Sequence, residues 1–203
     1  SHDILSQKVD FGVGRSSLIL EILNSQDLFL LASIYQHSPF ILLAKQRPDL
    51  ENVSQLKDKR IMTTDDVVGM ASLTAMLIAN GVSRENFIKQ KHSFNVDDLI
   101  ADKTDAIAAY ISNEPFQMDK KGVPYTIFSP KNHGFDFYSD ILYTANELYL
   151  KNPELVDKFY QASIKGWEWA FANIEETVDL ILKNYNTQNK SKPALIFEAQ
   201  QLK

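Results

Sequence analysis

The run Gly12-Val13-Gly14-Arg15-Ser16-Ser17 joins a short alternating apolar segment to the apolar run 18–23. The alternation predicts a strand and the apolar run predicts a helix, so the turn between them exposes backbone N–H groups at a helix start. Such N–H groups, together with the two serine hydroxyls, suit a polar or anionic group of a ligand. A side chain of Arg15 that points inward would strengthen that preference with its positive charge.

The same turn has two other interpretations. A dinucleotide-binding loop needs a third glycine where this chain has Ser17, and it needs an acidic residue at the end of a second strand about 20 residues on, which is missing here. A purely structural turn, with Ser16 as the N-cap of the helix, accounts for the residues without any ligand. A ligand-binding turn and a structural turn therefore both stay open.

Two further turns have the same construction, with polar residues directly after a predicted strand. They are Thr63-Thr64-Asp65-Asp66-Val67-Val68-Gly69, after the strand 59–63, and Ser112-Asn113-Glu114-Pro115, after the strand 105–111. Ligands of parallel sheets collect at the carboxyl ends of the strands, so both turns are predicted to face a ligand.

The charged residues and the glycine of these turns each have two interpretations. Asp65, Asp66 and Glu114 either contact a ligand or complement the positive end of a helix dipole as first-turn acids. Gly69 lies at the start of the predicted helix 70–79, where glycine costs about 1 kcal/mol relative to alanine. Close approach of a ligand would justify that cost.

The composition excludes several other kinds of chemistry. The 203 residues contain no cysteine, which excludes thiolate metal sites, thiol nucleophiles and disulfides. The four histidines show no paired spacing, so we expect no metal and no cofactor. A net charge of −5, with 21 basic residues scattered among 26 acidic ones, argues against nucleic acid as a partner. Neither a nucleophile elbow nor a Walker loop is present, and we predict no enzyme.

Strands and helices alternate through the middle of the chain. Predicted strands at 59–63, 105–111 and 125–128 are separated by predicted helices at 70–79 and 114–120. Alternation of this kind predicts a parallel sheet covered by helices.

The tail from residue 150 onward is predicted to be helical throughout. Pro153 begins a helix with an apolar stripe, and Asn173 with Glu176 forms a capping-box pattern at the start of the next helix. Trp167 lies on the stripe, so we expect it to pack in the core.

An ordered set of motifs resembles one protein family. In chain order, the motifs are Asp10-Phe11-Gly12-Val13-Gly14, Gln36-His37-Ser38-Pro39, Leu56-Lys57-Asp58-Lys59-Arg60-Ile61, Gly69-Met70-Ala71-Ser72, Thr104-Asp105-Ala106-Ile107 and Asn113-Glu114-Pro115. This order resembles periplasmic solute-binding proteins of the thiamine-pyrimidine-precursor and alkanesulfonate type. The resemblance implies the type 2 periplasmic-binding-protein fold, an α/β architecture of two lobes with parallel-rich sheets flanked by helices and a helical C-terminal tail.

The resemblance also implies where the lobes divide. Lobe one would comprise residues 1–40 and 135–203, and lobe two would comprise residues 41–134, with the chain crossing between them twice. Proteins of this kind begin lobe one with a βαβ unit, and this sequence starts after it. At least about 30 residues of lobe one are therefore expected to be absent.

A ligand cleft lined from both lobes follows from the same resemblance. The residues carried over from the motifs are Arg15, Ser16 and Ser17 in lobe one, Gln36, His37 and Ser38 at the first crossing, and Asp65, Asp66, Gly69, Met70, Asn113 and Glu114 in lobe two. The return crossing would add Tyr138 as an aromatic wall for a flat ring.

The resemblance implies a binding protein that takes a small polar ligand outside the cytoplasm. The acids of the second and third turns favour a pyrimidine-like ligand with hydrogen-bond donors, which we slightly prefer, whereas Arg15 and the helix starts favour a sulfonate or carboxylate. An enzyme of the thiamine-pyrimidine biosynthesis type is one alternative, although the cysteine-rich motif of those enzymes is missing. A plain interaction domain is the other.

Two kinds of partner are implied. The segments Lys165-Gly166-Trp167-Glu168-Trp169-Ala170 and Lys183-Asn184-Tyr185-Asn186-Thr187-Gln188 look most like sensor domains fused to histidine kinases or diguanylate cyclases, whereas a transport receptor with the same lobes would meet an ABC permease. A periplasmic or otherwise extracytoplasmic location is expected in either case. If the first βαβ unit is missing, open sheet edges are predicted to pair two chains.

Overall fold

A computed structural model describes residues 1–64 and 70–203. The predicted site positions Asp65, Asp66 and Gly69 lie outside the described residues. In chain order, the strands are β1 (Phe11–Gly14), β2 (Leu28–Tyr35), β3 (Phe40–Lys45), β4 (Arg60–Thr63), β5 (Ile88–Lys91), β6 (Ala106–Tyr110), β7 (Tyr125–Phe128) and β8 (Ser139–Ala145). The helices are α1 (His2–Leu5), α2 (Leu18–Leu23), α3 (Ala71–Ala79), α4 (Val96–Ile100), α5 (Glu114–Lys120), α6 (Asn146–Lys151), α7 (Pro153–Ala172), α8 (Ile174–Asn184) and α9 (Lys192–Leu202).

The chain divides into two compact units. Unit 1 comprises residues 1–38 and 137–199 with residue 203, and unit 2 comprises residues 39–136 with residues 200–202. The lobe boundaries expected from the resemblance, at 40/41 and 134/135, stay a proposal.

Unit 1 is built on a three-stranded antiparallel sheet. Its order is β1-β8-β2, so β8 is the central strand and both β1 and β2 pair with it. Phe11 of β1 stacks on Phe159 of α7 with ring centroids 3.8 Å apart, and Phe29 of β2 stacks on Tyr149 of α6 at 4.0 Å. One buried core cluster of this unit consists of Ile4, Leu18, Leu28, Ile141 and Tyr143.

The N-terminal capping of two helices in unit 1 differs from that predicted from the sequence. The N-cap of α2 is Ser17 rather than Ser16, and its side chain makes no capping hydrogen bond. The predicted capping box at α8 is also wrong, because Asn173 turns its amide back and Nδ2 donates to the carbonyl oxygen of Trp169 at 2.8 Å. The prediction for α9 is closer, since the Ser191 hydroxyl accepts from the N–H of Ala194.

Unit 2 contains a five-stranded mixed sheet in the order β5-β4-β6-β3-β7. Strand β4 runs parallel to β5 and β6, whereas β3 runs antiparallel to β6 and β7. The α/β class is confirmed, but the strands are less parallel than expected. The reason is that β3 lies between β6 and β7 with the opposite direction to β6, and the alternation of helices and strands reports only on the parallel part of the sheet.

The sheet of unit 2 is buried on both faces. Residues of β3 alternate between two core clusters, with Leu42 and Ala44 on one face and Ile41 and Leu43 on the other. Burial of both faces explains why β3 is an unbroken apolar run in the sequence.

One buried acid anchors the edge of unit 2 at which β4 and β6 begin. Asp105 accepts from the backbone N–H of Arg60 at 2.8 Å, from Arg60 Nε at 3.0 Å and from Arg47 Nη2 at 2.8 Å. Its side chain is only 11% exposed. Burial alone would raise the pKa of Asp105, but the hydrogen bonds from Arg60 and Arg47 outweigh it and hold the pKa well below its usual range.

Candidate functional site

In unit 1, the sequence-predicted residues gather at one edge of the sheet. Gly14 at the end of β1 pairs with Ile141, and Tyr35 at the end of β2 pairs with Ser139 at the start of β8. The turns that follow β1 and β2 and the residue that precedes β8 therefore meet at this edge. The predicted residues at the unit 1 edge are Arg15, Ser16, Ser17, Gln36, His37, Ser38 and Tyr138.

Some side chains of the unit 1 edge are already engaged. Gln36 Nε2 donates to the carbonyl oxygen of Ser33 at 2.9 Å, which uses its amide to close the end of β2. Arg15, His37 and Ser38 each have an interaction partner. Tyr138 is 54% exposed, so its ring is open for stacking against a flat group.

Asp140, near the start of β8, is an acid of the unit 1 edge that no sequence motif indicates. Burial raises the pKa of its carboxyl, and the charge of Arg15 only partly opposes that effect. Its backbone is left-handed, with φ of 49°. The resemblance implies a crossing at residues 134–139 and the sequence pattern predicts no strand after it, so the acid near the start of β8 is missed.

Tyr35 forms the aromatic part of the same edge. Its ring lies edge-on to Trp167 of α7, with centroids 5.8 Å apart, and Trp167 in turn stacks on Phe171. Burial and the carboxylates of Asp140 and Glu198 raise the pKa of Tyr35 to about 12, so its hydroxyl stays protonated. Trp167 remains 37% exposed, and the expectation that it is a core residue holds only in part.

Unit 2 has a corresponding edge where β4 and β6 end. The two strands are parallel, with Met62 opposite Ile107, and Phe40 at the start of the antiparallel β3 lies opposite Tyr110. Phe40 and Tyr110 are in ring contact, with centroids 5.4 Å apart. Of the predicted site residues, Met70, Asn113 and Glu114 follow these strand ends.

Glu114 already holds the loop after β6. Its Oε2 accepts from the backbone N–H of Tyr110 at 2.8 Å, and its Oε1 accepts from Asn113 Nδ2 at 2.8 Å. Each carboxylate oxygen keeps a second lone pair, so Glu114 can still accept a hydrogen bond from a ligand. The side chain therefore has a structural role whether or not it also binds.

Met70, at the unit 2 edge, lines a cavity. It is buried, at 6% exposure, and together with Thr63 and Thr64 it lines a space of about 240 Å³. The cavity continues between α3 and β5 toward Leu77 and Phe87. Its lining combines hydroxyl groups, apolar side chains and charged side chains, the last including Arg84, Glu85 and Lys89.

His92, after β5, has a structural role. Its Nε2 lies 2.6 Å from the carbonyl oxygen of Ala108, and its Nδ1 accepts from the N–H of Phe94 at 2.8 Å. These contacts use both ring nitrogens, with Nδ1 as the acceptor and Nε2 assigned as the donor. Across residues 1–64 and 70–203, no three histidine or carboxylate side chains gather as a metal site would require.

A model of the NMT1/THI5-like family matches residues 2–177. The chain belongs to the NMT1/THI5-like family. This match confirms the resemblance carried by the ordered motifs of the sequence.

Two curated proteins are similar to this NMT1/THI5-like chain. The riboflavin-binding protein RibY of Chloroflexus aurantiacus is 29% identical over 153 residues, which are 74% of the chain and 43% of RibY. The formylaminopyrimidine-binding protein of Halalkalibacterium halodurans is 27% identical over 93 residues, which are 45% of the chain and 28% of that protein. The chain thus spans less than half the length of either relative.

A solved structure shows the fold of the NMT1/THI5-like chain. The periplasmic aliphatic sulphonate-binding protein SsuA of Escherichia coli matches 100% of the chain and 65% of its own length, with a TM-score of 0.80 and 11% identity. The expected periplasmic-binding-protein fold is confirmed. Within the described part of the chain, no helix is both long and apolar enough to span a membrane.

Proposed function

We propose that this chain binds a small polar ligand and releases it unchanged, and that the residues of the unit 1 edge and of the unit 2 edge are the candidates for contacting it. The observation that carries the proposal is the convergence of predicted site residues at the carboxyl ends of two strands in each unit. In the parallel part of the unit 2 sheet, this is the end at which ligands of α/β sheets bind. Similarity to riboflavin-binding and formylaminopyrimidine-binding proteins supports a heterocyclic ligand.

Binding without chemistry fits the residues better than catalysis does. Glu114 has both carboxylate oxygens in hydrogen bonds, and Asn113 serves one of them. The chain has no cysteine, and the described residues hold no metal-ligand cluster. Similarity to binding proteins rather than to enzymes points in the same direction.

The proposal includes a location and partners. The similarity to a periplasmic sulphonate-binding protein supports a periplasmic or extracytoplasmic location. A binding protein passes on its ligand-bound state, either to an ABC permease or to a fused kinase or cyclase module. It also includes a second copy of the chain, paired along β1.

A thermal-shift and calorimetry panel tests the proposed function. The probes are riboflavin, formylaminopyrimidine and ethanesulfonate. A ligand at 100 times its Kd adds about 2.7 kcal/mol to the free energy of unfolding. For a chain of this size, we expect one class of probe to raise Tm by about 5 to 10 °C. The absence of heat and of a Tm shift with every probe, or conversion of a probe into product, would contradict the proposal.

Glu114→Ala tests whether the unit 2 edge contacts the ligand. We expect the Kd of the probe that binds to rise by about tenfold or more, because a carboxylate acceptor is lost. Glu51→Ala is the matched control, since Glu51 is an exposed acid of the same unit. An unchanged Kd for Glu114→Ala would remove this residue from the site.

A further inference from the structure

Phe94 combines two features that are each unfavourable for a phenylalanine. Its ring is 80% exposed, the largest exposed fraction among the large apolar side chains that the structure describes. Its backbone is left-handed, with φ of 57°. The other described residues that have a side chain and a left-handed backbone are all polar, namely Gln7, Ser25, Asp58, Asp102, Asp140 and Asn189. A bulky apolar residue is an outlier in this conformation.

The turn between β5 and α4 accounts for the left-handed backbone of Phe94 but not for its ring. Glycine or asparagine would adopt the same conformation at a lower cost. A ring that is mostly exposed also gains little from burial in the fold. Packing and local geometry therefore leave the choice of phenylalanine unexplained, and residues in sparsely populated backbone conformations cluster at binding sites.

Phe94 belongs to the end of the unit 2 sheet at which the ligand is proposed to bind. Strand β5 is parallel to β4, so the residues after both strands emerge at the same end. The N–H of His92 donates to the carbonyl oxygen of Thr63 at 3.2 Å, and its Nε2 contacts the carbonyl oxygen of Ala108 in β6. His92 thus attaches the turn of Phe94 to β4 and β6, whose ends form the unit 2 edge.

Hydrogen bonds on both sides of Phe94 hold the turn in place. The N–H of Phe94 donates to His92 Nδ1 at 2.8 Å, and the two rings are in contact with centroids 4.6 Å apart. Ser93 Oγ donates to Met62 Sδ at 3.6 Å and accepts from the N–H of Asn95 at 3.4 Å. The ring is therefore both positioned and accessible. A contact that is positioned in advance reduces the entropy lost on binding.

We propose that Phe94 contacts the ligand at the unit 2 edge by stacking the open part of its ring on a flat group. The inference rests on the proposed function and adds to it a contact residue from the loop after β5, which lies in none of the sequence motifs that predicted the site. The left-handed backbone disfavours the ligand-free chain, whereas the ring it presents favours the complex. Replacement of Phe94 should therefore change stability and affinity in opposite directions.

The test is Phe94→Gly, with calorimetry against riboflavin, formylaminopyrimidine and ethanesulfonate. Glycine removes the ring and suits a left-handed backbone. Phe94→Tyr is the conservative variant, which keeps an aromatic ring. Asp58→Gly is the matched control, since Asp58 is an exposed residue of unit 2 with φ of 61°. It relieves the same kind of backbone conformation without removing a ring.

We expect Phe94→Gly to raise the Kd of the ring-containing probe that binds by about tenfold, and Phe94→Tyr to keep it within about threefold of the wild type. Without ligand, the Tm of Phe94→Gly should equal or exceed that of the wild type, because glycine adopts the left-handed backbone without strain. Asp58→Gly should behave in the same way in Tm and should leave the Kd unchanged.

Four results would overturn the inference. If the Kd of the ring-containing probe is the same for the wild type and Phe94→Gly, the inference is wrong and the proposed function stands. The same holds if ethanesulfonate, which has no ring, is the only probe that binds. A Kd that rises equally in Phe94→Tyr and Phe94→Gly, or a ligand-free Tm of Phe94→Gly below that of the wild type, would make the role of Phe94 structural. If no probe binds the wild type, the proposed function fails and the inference with it.

Discussion

Single acidic residues in this chain have opposite environments. Asp105 is surrounded by donors, and its pKa lies well below the usual range. Asp140 has no donor among the described residues, and burial raises its pKa. The hydrogen bonds of Asp105 favour its charged form, whereas burial disfavours the charged form of Asp140.

We predict that Asp105→Asn lowers the free energy of unfolding at pH 7 by about 3 kcal/mol, because two arginines lose their partner. The folded-state pKa of Asp105 is lowered, so its contribution is present above the unfolded pKa of about 3.9 and is lost as pH falls below it. The difference in free energy of unfolding between the wild type and Asp105→Asn should therefore shrink between pH 4 and pH 2. Chemical denaturation at several pH values in this range measures that difference.

Asp58→Asn is the control for this experiment. Asp58 is exposed, and its backbone has a left-handed conformation that asparagine also adopts. The free energy of unfolding of Asp58→Asn should therefore vary with pH as that of the wild type does. A constant difference between wild type and Asp105→Asn down to pH 2 would contradict the assigned role of the charge.

Sequence patterns reveal the polar residues that directly follow a recognisable strand. Glu114 follows the apolar run of β6, and Arg15 follows the alternation that ends in β1, so both are visible without a structure. Asp140 is not visible, because its importance depends on register with Ser139 opposite Tyr35. Pairing between positions about 100 residues apart leaves no local signal.

At the scale of elements, two glycines allow β1 to pack closely against neighbouring side chains. A Cβ on Gly12 would lie 2.9 Å from the ring of Tyr143, which is buried in β8. A Cβ on Gly14 would lie 2.8 Å from Leu18 of α2. The glycines therefore allow close packing of β1, beyond any role in binding.

We predict that Gly12→Ala lowers the free energy of unfolding by about 1 to 3 kcal/mol, since the buried Tyr143 ring has to shift. Gly166→Ala on α7 is the matched control, because nothing lies within 4 Å of its added Cβ. Alanine is favoured over glycine in a helix by about 1 kcal/mol, so this control should be neutral or stabilising. Equal effects of the two substitutions in urea denaturation would count against the packing argument.

Elements were predictable where burial gives a simple pattern. The apolar runs 28–35 and 40–45 coincide with β2 and β3. Strand β5, Ile88–Lys91, was not predictable, because an edge strand with two lysines has the composition of a loop. Strand β8 was missed because a buried central strand begins beside polar residues, so the pattern offers no clear boundary.

At the scale of the whole molecule, sheet edges differ in how they resist pairing. The edge strand β5 carries Lys89 and Lys91, and lysines on an edge discourage contact with another strand. The edge strand β1 has the sequence Phe-Gly-Val-Gly, without a charge or a proline, and Val13 is 62% exposed. Two copies of β1 can pair antiparallel about a twofold axis.

We predict that the chain forms dimers at micromolar concentration and that Val13→Lys shifts them to monomers. Ile88→Lys on the β5 edge, at a position that is also exposed, should leave the mass unchanged. Sedimentation equilibrium measures the masses of the wild type, Val13→Lys and Ile88→Lys in solution. A monomeric wild type at micromolar concentration, or a dimer that survives Val13→Lys, would show that β1 is not the contact.

The central position of β8 also governs how the chain matures on the ribosome. β1 and β2 each pair with β8 and not with one another, yet β8 is synthesised about a hundred residues later. Unit 2 occupies the interval and can complete its own sheet from a continuous segment. The eight-residue apolar strand β2 therefore emerges long before its partner strand, and until β8 is made it is an unpaired apolar segment of the kind that aggregates.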